Sequence, residues 1–481
     1  MVSKSIFKKI AIFGTFLAIV TNIYTATYPS VHPSKCSWKC TQNDDDIAVD
    51  LLSSWEKVVY YSKRYLFDVK EQLLPGKPDE ETTKNDDPAD IHLMAFGDPQ
   101  IKGIFSNTPY ITRLDIFGND FFLGHIASTM RRRLHPSHIA VMGDLFSSQW
   151  IGDSEFYNRT SRYMSRIFGR DISSLEQIKS EHHDKDGQYQ VDWESWGKKL
   201  DKIRATEKPW DLGFHHENVY SWDPQNEDSL FINITGNHDI GYSGDVTYQH
   251  LSRFHELFGS DNYWIEYDTD TDHPWRIVVL DSLLLEGPGL QNEFIDVTWE
   301  FLYQLFERRF KGSTVLLTHV PLYKEEGICS DGPETRFYPE VYEPEPYKSK
   351  LLRSHNHLSE EVTKRVLNLI FDNNKPGIIL TGHDHVGCET YYNKNSTSGD
   401  WKASKKIESP GELLSVQEIT VKAMMGEFHG NTGLVTGHFN KKTGLWEWYF
   451  SLCPFTIQHV WWISKVSALL TGLLWSIYIL L

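Results

Sequence analysis

The sequence predicts an α/β domain held between two membrane-spanning helices, and three observations predict it. Short apolar or β-branched runs of strand length (92–96, 138–142, 230–234, 276–281, 314–318 and 378–381) alternate with helical patterns at 121–134, 294–310 and 358–371. Most of those runs end in residues able to hold a metal ion. An uncharged or nearly uncharged apolar stretch stands near each end of the 481 residues.

Residues 10–34 contain no Asp, Glu, Lys or Arg and follow Lys4, Lys8 and Lys9. This is the pattern of a spanning helix over 10–28 with residues 1–9 in the cytosol. A cleaved signal peptide is the competing reading, although the run is long for one and no A-x-A site ends it. Residues 29–90 read as a stem and linker; the part from 75 is Pro-rich, charged and without apolar periodicity.

At the other end, 459–481 is apolar apart from Lys465, with the Trp461–Trp462 pair placed for an aromatic belt. A removable GPI-attachment tail is the rival here. Lys465 interrupts it, and no small-residue triplet with a polar spacer precedes it. Two spans put both termini in the cytosol and the hydrophilic block on the lumenal or extracellular side. Sequons at Asn158, Asn233 and Asn395 suit that side; Asn233 falls in a strand-like run and is expected to be buried.

The net charge of −17 excludes a nucleic-acid binder, which needs a basic face to displace counterions. Cys36, Cys40, Cys329, Cys388 and Cys453 form no zinc spacing and are too few for a disulfide scaffold. Cys36 and Cys40 are close enough in sequence to pair in an oxidising compartment, with at least one thiol left over. The domain itself is expected over 91–455, with an insertion at 150–228 that carries a helical portion. The adjacent pairs His182–His183 and His215–His216 in it read as solvated, because neighbouring side chains diverge.

The strand ends carry the chemistry. They present Asp98 in "FGDPQ", Asp144 in "MGDLF", Asn237 and His238 in "TGNHD", His319 in "LTHVP", and His383 and His385 in "TGHDH". Residues just beyond the carboxyl ends of strands converge on one crevice in an α/β sheet. Gly97, Gly143, Gly236 and Gly382 immediately precede several of them, which lets backbone turn sharply or approach an ion closely. The mixture of carboxylates, an amide oxygen and imidazoles suits manganese, iron or zinc better than calcium, and there are enough ligands for two ions.

In this order the blocks resemble the signature of the calcineurin-like metallophosphoesterases: D-x-H, G-D-x-x-D/N, G-N-H-D/E, H-x-P and G-H-x-H. The resemblance covers about residues 91–392 and implies a four-layer fold, a two-sheet β-sandwich flanked by helices with the site at strand ends. It implies that Asp98 and His385 hold one divalent ion, that Asn237, His319 and His383 hold a second, and that Asp144 bridges them. Gln100 stands where most relatives have histidine, and Ser147 where they have Asp or Asn.

The D-P-Q variant, the lumenal block and the anchors together resemble the membrane-anchored branch that removes ethanolamine phosphate from a mannose of the GPI glycan. That branch implies manganese, an endoplasmic reticulum or Golgi membrane, a GPI lipid or GPI-anchored protein as substrate, and support of GPI-protein maturation and export. It leaves any cargo-receptor partner unidentified. A sugar alkoxide is too basic to leave unprotonated, so a general acid is needed; His238 is the candidate, with Asp239 expected to orient it. The ethanolamine ammonium calls for acidic or aromatic groups, and His429 reads as a turn residue within reach of the site. The alternatives are a lumenal phosphatase for another phosphoester and a non-catalytic trafficking or ion-handling membrane protein.

Overall fold

The computed structural model describes residues 4–32, 35–39, 88–219, 227–395, 398–407 and 414–480, with four isolated positions between 55 and 63. Residues 75–87 of the expected linker, Cys40 and the end of the Asn395 sequon lie outside the described residues.

The strands, in chain order, are β1 (Ile91–Phe96), β2 (His138–Val141), β3 (His215–His216), β4 (Leu230–Asn233), β5 (Tyr263–Tyr267), β6 (Trp275–Leu280), β7 (Ser313–Thr318) and β8 (Thr335–Phe337). They continue as β9 (Leu352–His355), β10 (Gly377–Thr381), β11 (Cys388–Lys394), β12 (Trp401–Ser404), β13 (Ser415–Thr420), β14 (Asn431–Asn440) and β15 (Leu445–Pro454). One sheet has the order β15-β14-β1-β2-β4 and the other β12-β11-β13-β10-β7-β6-β5-β3. The runs that sequence marks as strands form the parallel centres, β1–β2–β4 and β6–β7–β10.

Period-two alternation explains why two sheets stack. Leu93 and Ala95 of β1, Ile277 and Val279 of β6, and Val315 and Leu317 of β7 face one shared apolar layer. Their neighbours Met94, Phe96, Val278, Leu280 and Leu316 face a second core, where helices cover the sheets. Strands buried on both faces read as continuous apolar runs, which is how these appear in the sequence. The result is the four-layer α/β sandwich that the resemblance implies.

The helix after β1 spans Tyr110–Leu134, well beyond the expected 121–134, because its first half is not periodic toward the core: Tyr110, Ile111, Leu114 and Phe117 are exposed. The insertion folds as three α-helices, Asp153–Arg162, Ser173–Glu181 and Trp193–Arg204, with a π-helical turn at Tyr163–Ile167. Asn158 is exposed there, whereas Asn233 is buried and its amide oxygen accepts from Tyr163 Oη. His182 meets Glu256, and His215 stacks on Trp264 at 5.7 Å. Among the described residues none of the four histidines joins a metal-holding group.

Helices Lys4–Thr27 and Gln458–Leu480 are long and apolar enough to cross a membrane. They pack antiparallel. Asn22 donates to Ser464 O at 3.0 Å near one end, Trp475 Nε1 donates to Thr15 Oγ1 at 2.9 Å toward the other, and Gly14 lets Thr471 approach between them.

The cysteine expectation needs correction. Cys36 pairs not with Cys40 but with Cys453, 417 positions away, and a second bridge joins Cys329 to Cys388. The first ties the segment after the N-terminal helix to β15, just before the C-terminal helix. Closeness in sequence was a poor guide because β15 brings its distant cysteine to the helix pair.

Candidate metal centre

Five strands from the two sheets deliver the cluster. Asp98, Asp144 and Asn237 follow the adjacent parallel strands β1, β2 and β4, and His319 and His383 follow the adjacent parallel strands β7 and β10. Backbone approach is close where glycine precedes a ligand. A Cβ on Gly236 would lie 2.0 Å from Asp144 N, and one on Gly382 would lie 2.4 Å from Met142 O and 2.8 Å from Asp98 Oδ1. Asp98, Gln100, Asp144 and His383 themselves have positive φ (34°, 42°, 48° and 73°), strain that costs on the order of 1–3 kcal/mol each and is typical of functional sites.

All six predicted ligands meet around Asp144. One side groups Asp98, His385 and Gln100: His385 Nε2 is 3.7 Å from Asp98 Oδ2, and Gln100 Nε2 is 3.1 Å from His385 Nε2 and 3.2 Å from Asp144 Oδ2. The other groups Asn237, His319 and His383, whose ring nitrogens Nε2 and Nδ1 lie 3.1 and 3.0 Å from Asn237 Oδ1. His319 Nε2 is also 3.4 Å from Asp144 Oδ1. Gln100 thus stands in the first lobe where histidine is usual. Ser147 faces away, its Oγ accepting from Arg159 at 3.2 Å.

The donor set fits a cation. Both Asp98 oxygens are buried and neither makes a hydrogen bond of normal geometry, an arrangement that costs several kcal/mol for an unpaired charge. His319 Nδ1 lies 2.7 Å from the Met142 carbonyl and donates to it, so its Nε2 lone pair faces the Asn237 and Asp144 oxygens with no proton between them. Asp98, Asp144 and His319 can all place a ligand atom within 4.8 Å of one another.

Electrostatics agree. Burial holds the Asp98 carboxyl well above the usual carboxylate range, and the Asp144 charge pushes it further. Burial acts the same way on Asp144, but His319 and His238 outweigh it and leave that carboxyl below its ordinary value. Burial lowers His319 and His385 and takes His383 down to about 3, a direction that favours the neutral imidazole required for metal ligation.

His238 stands at the rim, with its side chain 38% exposed and Nε2 3.8 Å from Asp144 Oδ2, while its backbone N–H donates to Asp144 Oδ1 at 2.8 Å. Asp239 does not orient it. The Asp239 carboxylate is fully buried and accepts from the backbone N–H groups of Gly236, Leu145 and Phe146 at 2.9, 3.1 and 3.0 Å, clamping the loops after β4 and β2 together. Asp239→Ala leaves three buried donors without a partner, each costing about 1–3 kcal/mol. Thermal unfolding of the variant is expected to show the largest destabilisation of any single change in the cluster, and an unchanged Tm would contradict the clamp.

Sequence reasoning missed Tyr242, whose hydroxyl lies 3.5 Å from His383 Nε2 and whose only signal was its place four residues after His238. It also missed Phe428, which packs edge-on to His385 at 5.1 Å. The adjacent His429 is a left-handed turn residue, φ 74°, bonded to Gly426 O through its backbone.

Fold and site together define a metal-dependent phosphoesterase. No protein-family model matches the chain. Protein TED1 of Saccharomyces cerevisiae is 60% identical over 98% of this chain and 98% of its own length. Uncharacterized protein C23A1.02c of Schizosaccharomyces pombe is 25% identical over 85% and 90%, and Metallophosphoesterase 1 of Xenopus laevis is 26% identical over 34% and 42%. The chain belongs to the calcineurin-like metallophosphoesterase superfamily.

Proposed function

We propose that the protein is a membrane-anchored phosphodiesterase that removes ethanolamine phosphate from a mannose of the GPI glycan, with two divalent ions, manganese by resemblance, in the two lobes around Asp144. Bound divalent ions lower the pKa of water and neutralise charge on phosphoryl oxygens. Asp144 joins the lobes, Asp98 and His385 hold the first with Gln100 beside them, and Asn237, His319 and His383 hold the second. Water supplies the oxygen that bonds to phosphorus, and His238 Nε2, exposed at the rim, gives its proton to the mannosyl oxygen as the bond from phosphorus to that oxygen breaks.

The observation that carries the reading to its substrate is the acidic wall next to His385. Asp384 is buried, with Oδ1 accepting from Val386 N and Oδ2 unpartnered. Asp331 lies within electrostatic reach of both Asp384 and His385, on a loop that the Cys329–Cys388 bridge fastens to β11. The two carboxylates offer a primary ammonium its counter-charge beside His385. Disulfides form in oxidising compartments, which supports a lumenal domain in the early secretory pathway; the antiparallel helix pair supports a topology with residues 4 and 480 on the same side of the membrane. A lipid-linked substrate in the same bilayer gains effective concentration from the anchors. The test is purified protein against a GPI glycan bearing ethanolamine phosphate and against a simple phosphomonoester. Turnover of the glycan is expected, and turnover of the monoester alone sinks the reading.

A further inference from the structure

A large cavity lies away from the metal centre. It encloses about 990 Å³ and is lined by His92, Ser137 and Ser229, which stand at the amino ends of β1, β2 and β4. The cluster stands at the carboxyl ends of the same strands, so the two are separated by roughly a strand length, ~20 Å. Nothing in the proposed hydrolysis uses this cavity.

Its charge is opposite to that of the chain. Arg131, Arg132, Arg166 and Lys465 line it against one carboxylate, Asp228, in a protein of net charge −17. Arg166 is partly neutralised by Asp120 at 3.4 Å. Arg132 and Lys465 have no carboxylate partner among the described residues; Arg132 Nε donates to Ser128 O at 3.0 Å and Lys465 Nζ to Asn22 Oδ1 at 3.2 Å, and both keep further donors free. His92, stacked on Trp38 at 4.5 Å, adds a buried Nε2 with no hydrogen-bond partner among the described residues. Clustered cations with spare donors are the chemistry of a phosphate site.

Its position identifies the bearer of that phosphate. Trp461 and Lys465 belong to the first turns of the C-terminal helix. The Tyr110–Leu134 helix, which forms one wall, packs Gly118 against Trp462 and Phe122 against Trp461 at 5.9 Å. That helix exposes Tyr110, Leu114, Phe117 and Phe121 at spacings of four, three and four, a stripe of 42–74% exposed side chains on one face, with Ile111 beside it at 80%. An apolar stripe beside a helix able to cross a membrane suits the lipid interface, and it leads to Phe121 in the cavity wall.

We propose that the cavity binds the phosphate of an anionic membrane phospholipid, entering along this interfacial helix. The site is independent of the GPI reading. The test uses the full-length protein in nanodiscs of phosphatidylcholine doped with phosphatidylinositol, with lipids retained after detergent exchange counted by native mass spectrometry. Wild-type protein is expected to enrich phosphatidylinositol, and R132E/K465E to lower that enrichment by about tenfold or more, the effect of reversing two basic groups at a lipid surface. Thermal unfolding and hydrolysis of a soluble nitrophenyl diester should match wild type. Equal retention by the two proteins, or no phosphatidylinositol preference in wild type whatever the fate of the variant, overturns the proposal. Displacement of the lipid by excess inorganic phosphate reassigns the cavity to a soluble anion and overturns it equally.

Discussion

Asp144→Asn is expected to lower kcat on a phosphodiester by on the order of a thousandfold, the scale of losing a major charge-stabilising group in a water-poor site. Asp144 is 2% exposed and touches both lobes: Gln100 at 3.2 Å and His319 at 3.4 Å. The amide oxygen of Asn can still accept the His238 backbone N–H, so the loop keeps its shape while the shared negative charge is lost. Metal content of the purified variant, measured by plasma mass spectrometry, should fall together with activity while Tm stays close to that of wild type. Full activity at reduced metal content would separate hydrolysis from the cluster.

His238→Ala has the second largest expected effect, and its signature depends on the leaving group. A sugar oxygen needs a proton as it departs; a nitrophenolate does not. The variant is therefore expected to lose about a hundred- to ten-thousandfold on the mannosyl ester and far less on the nitrophenyl ester. Equal losses on both would make His238 a positioning residue, acting through the approach of its Nε2 to Asp144 Oδ2 at 3.8 Å, since the backbone hydrogen bond to Asp144 survives in the variant. The side chain is reachable by substrate at the rim, unlike those of His319 and His383, which are buried or nearly so.

How far the sequence could be read follows from what each feature depends on. The six proposed ligands were legible because they follow the ends of buried parallel strands, and such strands announce themselves as short apolar runs. Roles that depend on register between strands were not. Asp239 looks like a partner for His238 from its position, but the parallel pairing of β2 with β4 sets its carboxylate under the amides of Leu145 and Phe146. Cys453 is invisible as the partner of Cys36 because only the pairing of β15 with β14, which in turn pairs with β1, brings them together. The first half of the Tyr110–Leu134 helix lacks a core-facing pattern, since its apolar residues face outward. A reading that equates apolar periodicity with burial in protein passes over such a face.

The central claim is that the strand-end cluster cuts the phosphodiester between ethanolamine phosphate and mannose. It is tested most directly by incubating manganese-loaded protein, and its D144N variant, with an isolated GPI glycan and weighing the glycan by mass spectrometry. The account predicts that wild type removes one ethanolamine phosphate and leaves a free mannose hydroxyl, and that the variant leaves the mass unchanged. An unaltered glycan with active wild-type protein, or the same loss with the variant, would contradict it.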